Sequence, residues 1–235
     1  MDVPPQAPCT CSCTGSALRN RVARVSVDPK RMVADGYDAI FDRYERWEEE
    51  QGDGARGARI DAVLPLVPSR RSALDLGCGT GTKATAYLAR EFDAVTAVDI
   101  SARSIEVARQ RIPGVEFLAG DMTRVEFPAE AFDLVAAFYS VLHVPAGEQP
   151  GVVARVASWL VPGGVFLFNV GLHAGDQQDD DWLGAPMYWS SLGRDATLSM
   201  VTATGMRVVA AEVETVVEDG VEVSFLWVSA QRATE

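Results

Sequence analysis

Between Ala73 and Gly81 the chain reads Ala-Leu-Asp-Leu-Gly-Cys-Gly-Thr-Gly. An apolar strand runs into glycines at every second position, and an amphipathic stretch from Lys83 to Arg90 follows. A strand, a tight turn and a helix start in that order describe a backbone that a ligand can approach closely. Asp75 lies inside the strand and directs a carboxylate at the same mouth. A dinucleotide-binding turn has Gly-x-Gly-x-x-Gly, whose backbone amides receive a pyrophosphate. Here Gly81 comes one residue early, and Thr82 stands where that pattern needs glycine. A carboxylate beside the turn repels a pyrophosphate and attracts an ammonium group, which argues against a nicotinamide oxidoreductase.

The flanking residues alternate strand with helix. Ser72–Leu76 and Ala94–Asp99 read as strands with a helix over 82–90 between them. Ser101 is placed to cap a helix carrying Ile105, Ala108 and Ile112. A strand over 115–119 follows. Phe132–Phe138 and Val165–Val170 are near-continuous apolar runs, as expected of strands buried on both faces of a parallel sheet, with a helix over 147–160 between them. Such alternation predicts a doubly wound α/β sheet. Ahead of it, Ile40, Phe41, Tyr44 and Trp47 recur at helical spacing in a helix from Val33 to Glu50. Gly52-Asp53-Gly54 breaks that helix, and a second runs over 56–66, ending at Pro65 and Pro68. Behind the core, residues 207–218 and 221–231 are β-rich runs joined by Glu218-Asp219-Gly220, a hairpin signal.

Composition narrows the function classes. The 235 residues make one domain with an appendage at most. Acidic residues exceed basic ones, 33 to 21, for a formal charge of −12, which disfavours a nucleic-acid partner. No apolar run reaches the roughly 18 residues of a membrane span. The expectation is a soluble, cytoplasmic protein, monomer or homodimer. Residues 1–30 lack periodicity and read as a disordered leader. Its Cys9, Cys11 and Cys13 do not have zinc-site spacing, and the chain has only two histidines, so no metal is expected.

The motif at Asp75–Gly81 resembles motif I of the class I S-adenosylmethionine (SAM)-dependent methyltransferases. The resemblance continues in that family's order: Val98-Asp99-Ile100-Ser101, Ala119-Gly120-Asp121-Met122, Phe132-Asp133-Leu134-Val135 and Leu160-Val161-Pro162-Gly163-Gly164. It covers about residues 70–170. It implies a Rossmann-like, mostly parallel seven-stranded sheet with an antiparallel last strand and an N-terminal helical lid. The domain then divides into N-terminal helices at 31–68, a SAM-binding core at 70–170, an acceptor-side loop and helix at 171–205 and a C-terminal hairpin at 206–231. SAM is the implied cofactor, with S-adenosylhomocysteine (SAH) as product.

The resemblance also assigns roles. Gly77, Cys78 and Gly79 pass beneath the methionine part of the ligand, and Asp75 orients its ammonium. Asp99 has two oxygens for two ribose hydroxyls. Ile100 and Met122 sandwich the adenine, and Asp121 accepts from its amino group. Phe138 belongs to the same site. Tyr37 is expected near the SAM carboxylate; as part of a plain amphipathic stripe with Tyr44 and Trp47 it would only pack on the sheet.

On the acceptor side, Tyr139 and His143 follow the fourth strand, where the family places its reaction centre. A neutral His143 is a candidate general base, giving a rate that falls below about 6.5, or else it supports the loop. Trp182, Met187, Tyr188 and Trp189 lie in a segment read as a loop, either an apolar lid over a small acceptor or a satellite core. The acid run Asp176, Asp179, Asp180, Asp181 reads as a solvated loop rather than a Mg2+ site. Two lysines against nineteen arginines point to a GC-rich genome and hence to a secondary-metabolite acceptor. The alternative is a SAM-binding protein of this fold that catalyses a cyclisation or rearrangement without methyl transfer.

Overall fold

A computed structural model describes residues 28–51, 56–218 and 220–234. The calls on the Cys9, Cys11 and Cys13 leader, on Gly52-Asp53-Gly54 and on Asp219 fall outside these residues. The first helix, α1, spans Pro29–Gln51, four residues earlier than the spacing suggests. Asp28 explains the early start. Its carboxylate accepts from the Lys30 N–H at 3.1 Å, and Pro29 occupies the first helical position, where no N–H is required. Helix α2 (Arg56–Val63) then tightens into a 3-10 turn over Leu64–Leu66.

The core alternates as expected: β1 (Ser72–Leu76), α3 (Ala84–Glu91), β2 (Ala94–Asp99), α4 (Ala102–Arg111), β3 (Glu116–Ala119) and β4 (Phe132–Ala137). Next come α5 (Gln149–Trp159) and β5 (Leu160–Gly171), which begins at Leu160, ahead of the apolar run that signalled it. Ser101 caps α4, accepting from the Ser104 N–H at 3.0 Å. Two further strands, β6 (Ala174–Trp182) and β7 (Ala185–Leu192), form a separate antiparallel pair. Helix α6 (Arg194–Ala203) leads into β8 (Arg207–Glu218) and β9 (Val221–Gln231).

The main sheet has seven strands in the order β3-β2-β1-β4-β5-β9-β8. The first five are parallel, and β9 lies antiparallel between β5 and β8. Side chains alternate between faces. Leu74, Leu76, Val135 and Ala137 face a core completed by Val152, Val156 and Val201 of α5 and α6. Ala73, Leu134, Ala136 and Phe138 face the opposite core, with Ile60 of α2 and Leu88 of α3. Two covered faces explain why β4 is apolar at nearly every position.

The order reverses between β1 and β4. After β1 the chain builds outward through β2 and β3, then returns to place β4 on the other side. A crevice therefore opens beyond the carboxyl ends of β1 and β4, where open α/β sheets bind ligands. Helix α1 crosses this crevice and is tied down at several points. Arg103 of α4 pairs with Asp42 at 3.0 Å and lies 4.2 Å over the Phe41 ring, and Arg111 pairs with Glu45.

The segment after β5 departs from expectation. It is the β6–β7 hairpin rather than a loop, and its inner strand packs Ala185 and Met187 against Val33 and Ile40 of α1. The acid run lies along exposed β6, where Asp176 accepts from the Tyr188 and Ser190 hydroxyls at 2.9 and 2.6 Å. Among the described residues, no helix is long and apolar enough to cross a membrane.

Candidate active site

The turn after β1 is built around backbone hydrogen bonds. The N–H groups of Gly77 and Cys78 both donate to the Val98 carbonyl, at 2.7 and 3.0 Å. Gly77 has φ +81°, and a Cβ there would lie 2.2 Å from the Ser140 Cβ, so no larger residue fits. Ser140 is itself held by donating to the Leu76 carbonyl at 2.6 Å. β1 and β4 thus lock together at the point where the crevice begins.

That crevice is a cleft of about 1150 Å³, mouth included, floored by the glycine turn and roofed by α1. Of the expected cofactor residues, Tyr37, Asp75, Gly77, Cys78, Gly79, Asp99, Ile100, Asp121, Met122 and Phe138 all line it.

Asp75 is 1% exposed and accepts from the Thr85 hydroxyl at 2.6 Å. Burial raises its pKa to about 6, with the Thr85 hydrogen bond opposing and the nearby Asp99 charge adding to the rise. Asp99 accepts from the Gly79 N–H at 2.7 Å and the Ser101 N–H at 2.8 Å, one on each oxygen. Burial also pushes its pKa upward against those bonds. A carboxylate offers about four acceptor positions, so Asp99 both ties the turn to β2 and keeps capacity for a ligand.

Asp121 is already engaged. Lys30 of α1 pairs with it at 3.0 Å, and the Thr123 N–H donates to it at 2.8 Å. Burial opposes its ionisation, but Thr123 and Lys30 outweigh burial and hold its pKa below the usual carboxylate value. Burial raises the Cys78 thiol far above its ordinary pKa, so it is an inert space-filler.

A second cavity of about 830 Å³ adjoins the first, sharing Tyr37, Tyr44, Glu48, Arg56, Tyr139 and His143 with it. Trp182 and Trp189 line it. Met187 and Tyr188 line neither cavity. Met187 is fully buried against α1, and the Tyr188 ring turns back to Asp176 on β6. Strand alternation turns Tyr188 to the opposite face from Trp189, whereas Met187 shares the face of Trp189 and is taken up by packing against Val33 and Ile40.

His143 joins three elements. Its Nδ1 lies 2.7 Å from the Tyr188 carbonyl, which can only accept, so the ring proton sits on Nδ1. Its Nε2 then accepts from the Tyr37 hydroxyl at 2.9 Å. Burial lowers its pKa to about 4, against the Tyr188 bond. That lies below the 6.5 of an ordinary imidazole, and the Nε2 lone pair is engaged by the Tyr37 hydroxyl. Tyr37 lines the cleft, and its hydroxyl donates to His143. Burial, with the neighbouring Tyr44, lifts that hydroxyl well above its ordinary pKa, so it stays a donor.

Tyr139 has φ +53°, uncommon for a residue with a side chain. The buried Asn169 side chain of β5 holds it, accepting from the Tyr139 N–H at 2.6 Å. Its ring then packs edge-on against Phe225 and Trp227, under the Arg56 guanidinium. Burial raises its hydroxyl pKa to about 12, with Arg56 opposing.

Sequence reasoning missed Lys30, Glu48, Arg56, Asn169 and the cavity-lining Val216, Glu218 and Phe225 of the C-terminal hairpin. Lys30 and Arg56 sit outside every motif. The hairpin residues carry no signal beyond β-propensity.

Residues 73–164 match the family model described as "Methyltransferase domain". Phosphoethanolamine N-methyltransferase 3 of Arabidopsis thaliana is 29% identical over 188 residues, covering 68% of this chain and 37% of that one. Malonyl-[acyl-carrier protein] O-methyltransferase of Serratia marcescens is 36% identical over 155 residues, covering 65% and 58%. The chain thus spans about a third to three fifths of the length of these curated relatives. A solved S-adenosylmethionine-dependent methyltransferase from Clostridium acetobutylicum superimposes with a TM-score of 0.64 at 16% identity, covering 85% of this chain and 98% of that one, a likeness of fold.

Proposed function

We propose that this chain, which belongs to the class I SAM-dependent methyltransferases, moves a methyl group from SAM to an O, N or C atom of a small, partly apolar organic acceptor. The observation that carries this reading is the pair of adjoining cavities. One is floored by the glycine turn with Asp75 and Asp99, the other is walled by aromatic rings, and Tyr37, Tyr139 and His143 stand between them.

The residues present fit SAM, whose sulfonium, ammonium and two ribose hydroxyls suit a cleft lined by carboxylates. When bound, SAM supplies an electrophilic methyl group on a sulfonium. In this reading Asp75 holds the ammonium, Asp99 the ribose, and Ile100 and Met122 flank the adenine. Asp121, already paired with Lys30, presents its remaining acceptor capacity to the base. The aromatic walls align the acceptor and exclude water, and alignment is worth roughly 7–11 kcal/mol in favourable cases. His143 acts as a clamp that joins α1 to the hairpin through Tyr37 and the Tyr188 carbonyl, so that both walls of the acceptor cavity keep their places.

Two measurements test the reading. Calorimetry should detect SAM and SAH binding; a folded protein that binds neither at millimolar ligand rules the assignment out. Turnover with an acceptor should then release SAH, whereas product formation without SAH would point to a rearrangement.

A further inference from the structure

The second cavity is lined by aromatic rings. Helix α1 supplies Tyr37, Tyr44 and Trp47, and the β6–β7 hairpin supplies Trp182 and Trp189. Within this cluster neighbouring ring centroids lie 4.9–6.0 Å apart. A further wall, Tyr139, already carries an organic cation: the Arg56 guanidinium sits 4.8 Å from its ring centroid. Ring faces are electronegative, so they attract an ammonium group and offer nothing to an anion.

The charges point the same way. Among the described residues lining the two joined cavities, the carboxylates are Glu45, Glu48, Asp75, Asp99, Asp121 and Glu218. They outnumber the cations Lys30, Arg56 and Lys83. Arg56 is itself paired with Glu48 at 3.0 Å. A bound ligand with one net positive charge leaves the joined cavities negative.

We propose that the second cavity is an aromatic cage for an amine, and that the atom methylated is a nitrogen on an apolar body. The inference rests on the methyl-transfer reading above. The acceptor nitrogen attacks as the free base. Its lone pair forms the new N–C bond, and the C–S bond breaks with its electron pair left on sulfur. Positive charge passes from sulfur to nitrogen, where the rings of the second cavity stabilise it. A tertiary amine ends as a quaternary ammonium; a nitrogen that carried hydrogen sheds a proton to water. Attack by a free amine needs no prior deprotonation by the protein. That agrees with a site in which the His143 Nε2 lone pair is occupied by the Tyr37 hydroxyl.

Three probes of one shape and different charge test the cage: choline, 3,3-dimethylbutan-1-ol and 3,3-dimethylbutanoate. Calorimetry is run on protein loaded with SAH. Choline should bind about three- to thirtyfold tighter than the alcohol, the range expected when a cation meets ring faces, and the butanoate should bind most weakly. Trp47→Leu and Trp182→Leu keep the walls apolar but remove a ring. Each, once its melting curve shows a folded protein, should move the choline-to-alcohol ratio toward one with SAH affinity retained. Equal affinity for choline and the alcohol, tighter binding of the butanoate, no binding of any probe at its highest soluble concentration, or an unchanged ratio in both variants overturns the amine cage. SAH binding on the same sample then leaves the methyltransferase reading standing, and failure to bind SAH overturns that reading instead.

Discussion

Asp75→Asn should make the ligand-free protein more stable and bind its ligand more weakly. Asp75 is 1% exposed, and burial raises its pKa from 3.8 to about 6. A raised carboxylate pKa means that the folded state resists ionisation. The shift corresponds to about 3 kcal/mol of destabilisation at neutral pH, at 1.36 kcal/mol per unit. Asn keeps an oxygen that can accept from Thr85 and carries no charge to desolvate. In urea melts at pH 7 the variant should therefore gain up to about 3 kcal/mol. In a domain of this size that raises Tm by roughly 6–12 °C. The sign with pH follows from the same shift. The wild-type penalty is full above about pH 6, shrinks as Asp75 takes up its proton, and is gone below 3.8. The gap between variant and wild type should close over that window.

The difference between the two proteins is the quantity to follow, because His143 opposes Asp75 in the wild type. Its pKa is lowered to about 4, so the stability it contributes is present above 6.5 and is lost as pH falls toward 4. In the same samples the variant should bind SAM and SAH about ten- to a hundredfold more weakly, the effect of losing a hydrogen bond to a charged group. Wild-type affinity should also fall as pH drops below about 6. A variant no more stable than wild type at pH 7, or a gap that does not close toward pH 4, would refute the reasoning.

Three more changes have defined outcomes. Asp99→Ala removes both the proposed ribose acceptor and the carboxylate that holds the Gly79 and Ser101 N–H groups; SAM affinity should fall by about 2–4 kcal/mol, and an affinity within twofold of wild type would mean the ribose is held elsewhere. His143→Ala removes the clamp between Tyr37 and the Tyr188 carbonyl, so it should lower Tm and raise the acceptor KM. The wild-type rate should stay flat with respect to this group from pH 6 to 8, and an inflection near 6.5 that the variant loses would reinstate His143 as the base. Asp133→Ala strands the Ser69 hydroxyl and the Arg71 and Ser72 N–H groups, which it accepts at 2.7, 3.1 and 3.0 Å; chemical denaturation should show a loss of about 2–4 kcal/mol with ligand binding retained in the folded fraction.

Whatever depends on backbone period and local turn chemistry was legible in the chain. The strands at 72–76 and 94–99, the cap at Ser101 and the strands at 207–218 and 221–231 lie where the residues placed them. The glycine turn, Asp75 and Asp99 meet at one cleft because the motif that carries them is a single strand-turn-helix unit followed by the next strand. A motif of that kind brings its own geometry, since neighbours in sequence are neighbours in space.

The acceptor side was legible in composition and not in arrangement. Three aromatic residues between Asp181 and Ser190 signalled an apolar surface, but polar β6 hid its pairing with β7, and on that hairpin Trp189 lines the cavity while Met187 packs against α1. Lys30 reaches Asp121 only when α1 crosses the crevice, and Arg56, Asn169 and Phe225, from three separate parts of the chain, converge on Tyr139 only in the folded protein. The protonation of His143 was decided the same way. Its residue type allows a base near neutral pH, but burial and the two partners brought from α1 and β7 leave it neutral, with its lone pair engaged. The sequence by itself determined the sheet, the glycine turn and the two carboxylates beside it, Asp75 and Asp99, because each follows from short-range period or from one contiguous motif. Only the tertiary structure decided the walls of the second cavity and the hydrogen-bond partners of His143, because both depend on desolvation and on contacts between segments that the linear order keeps far apart.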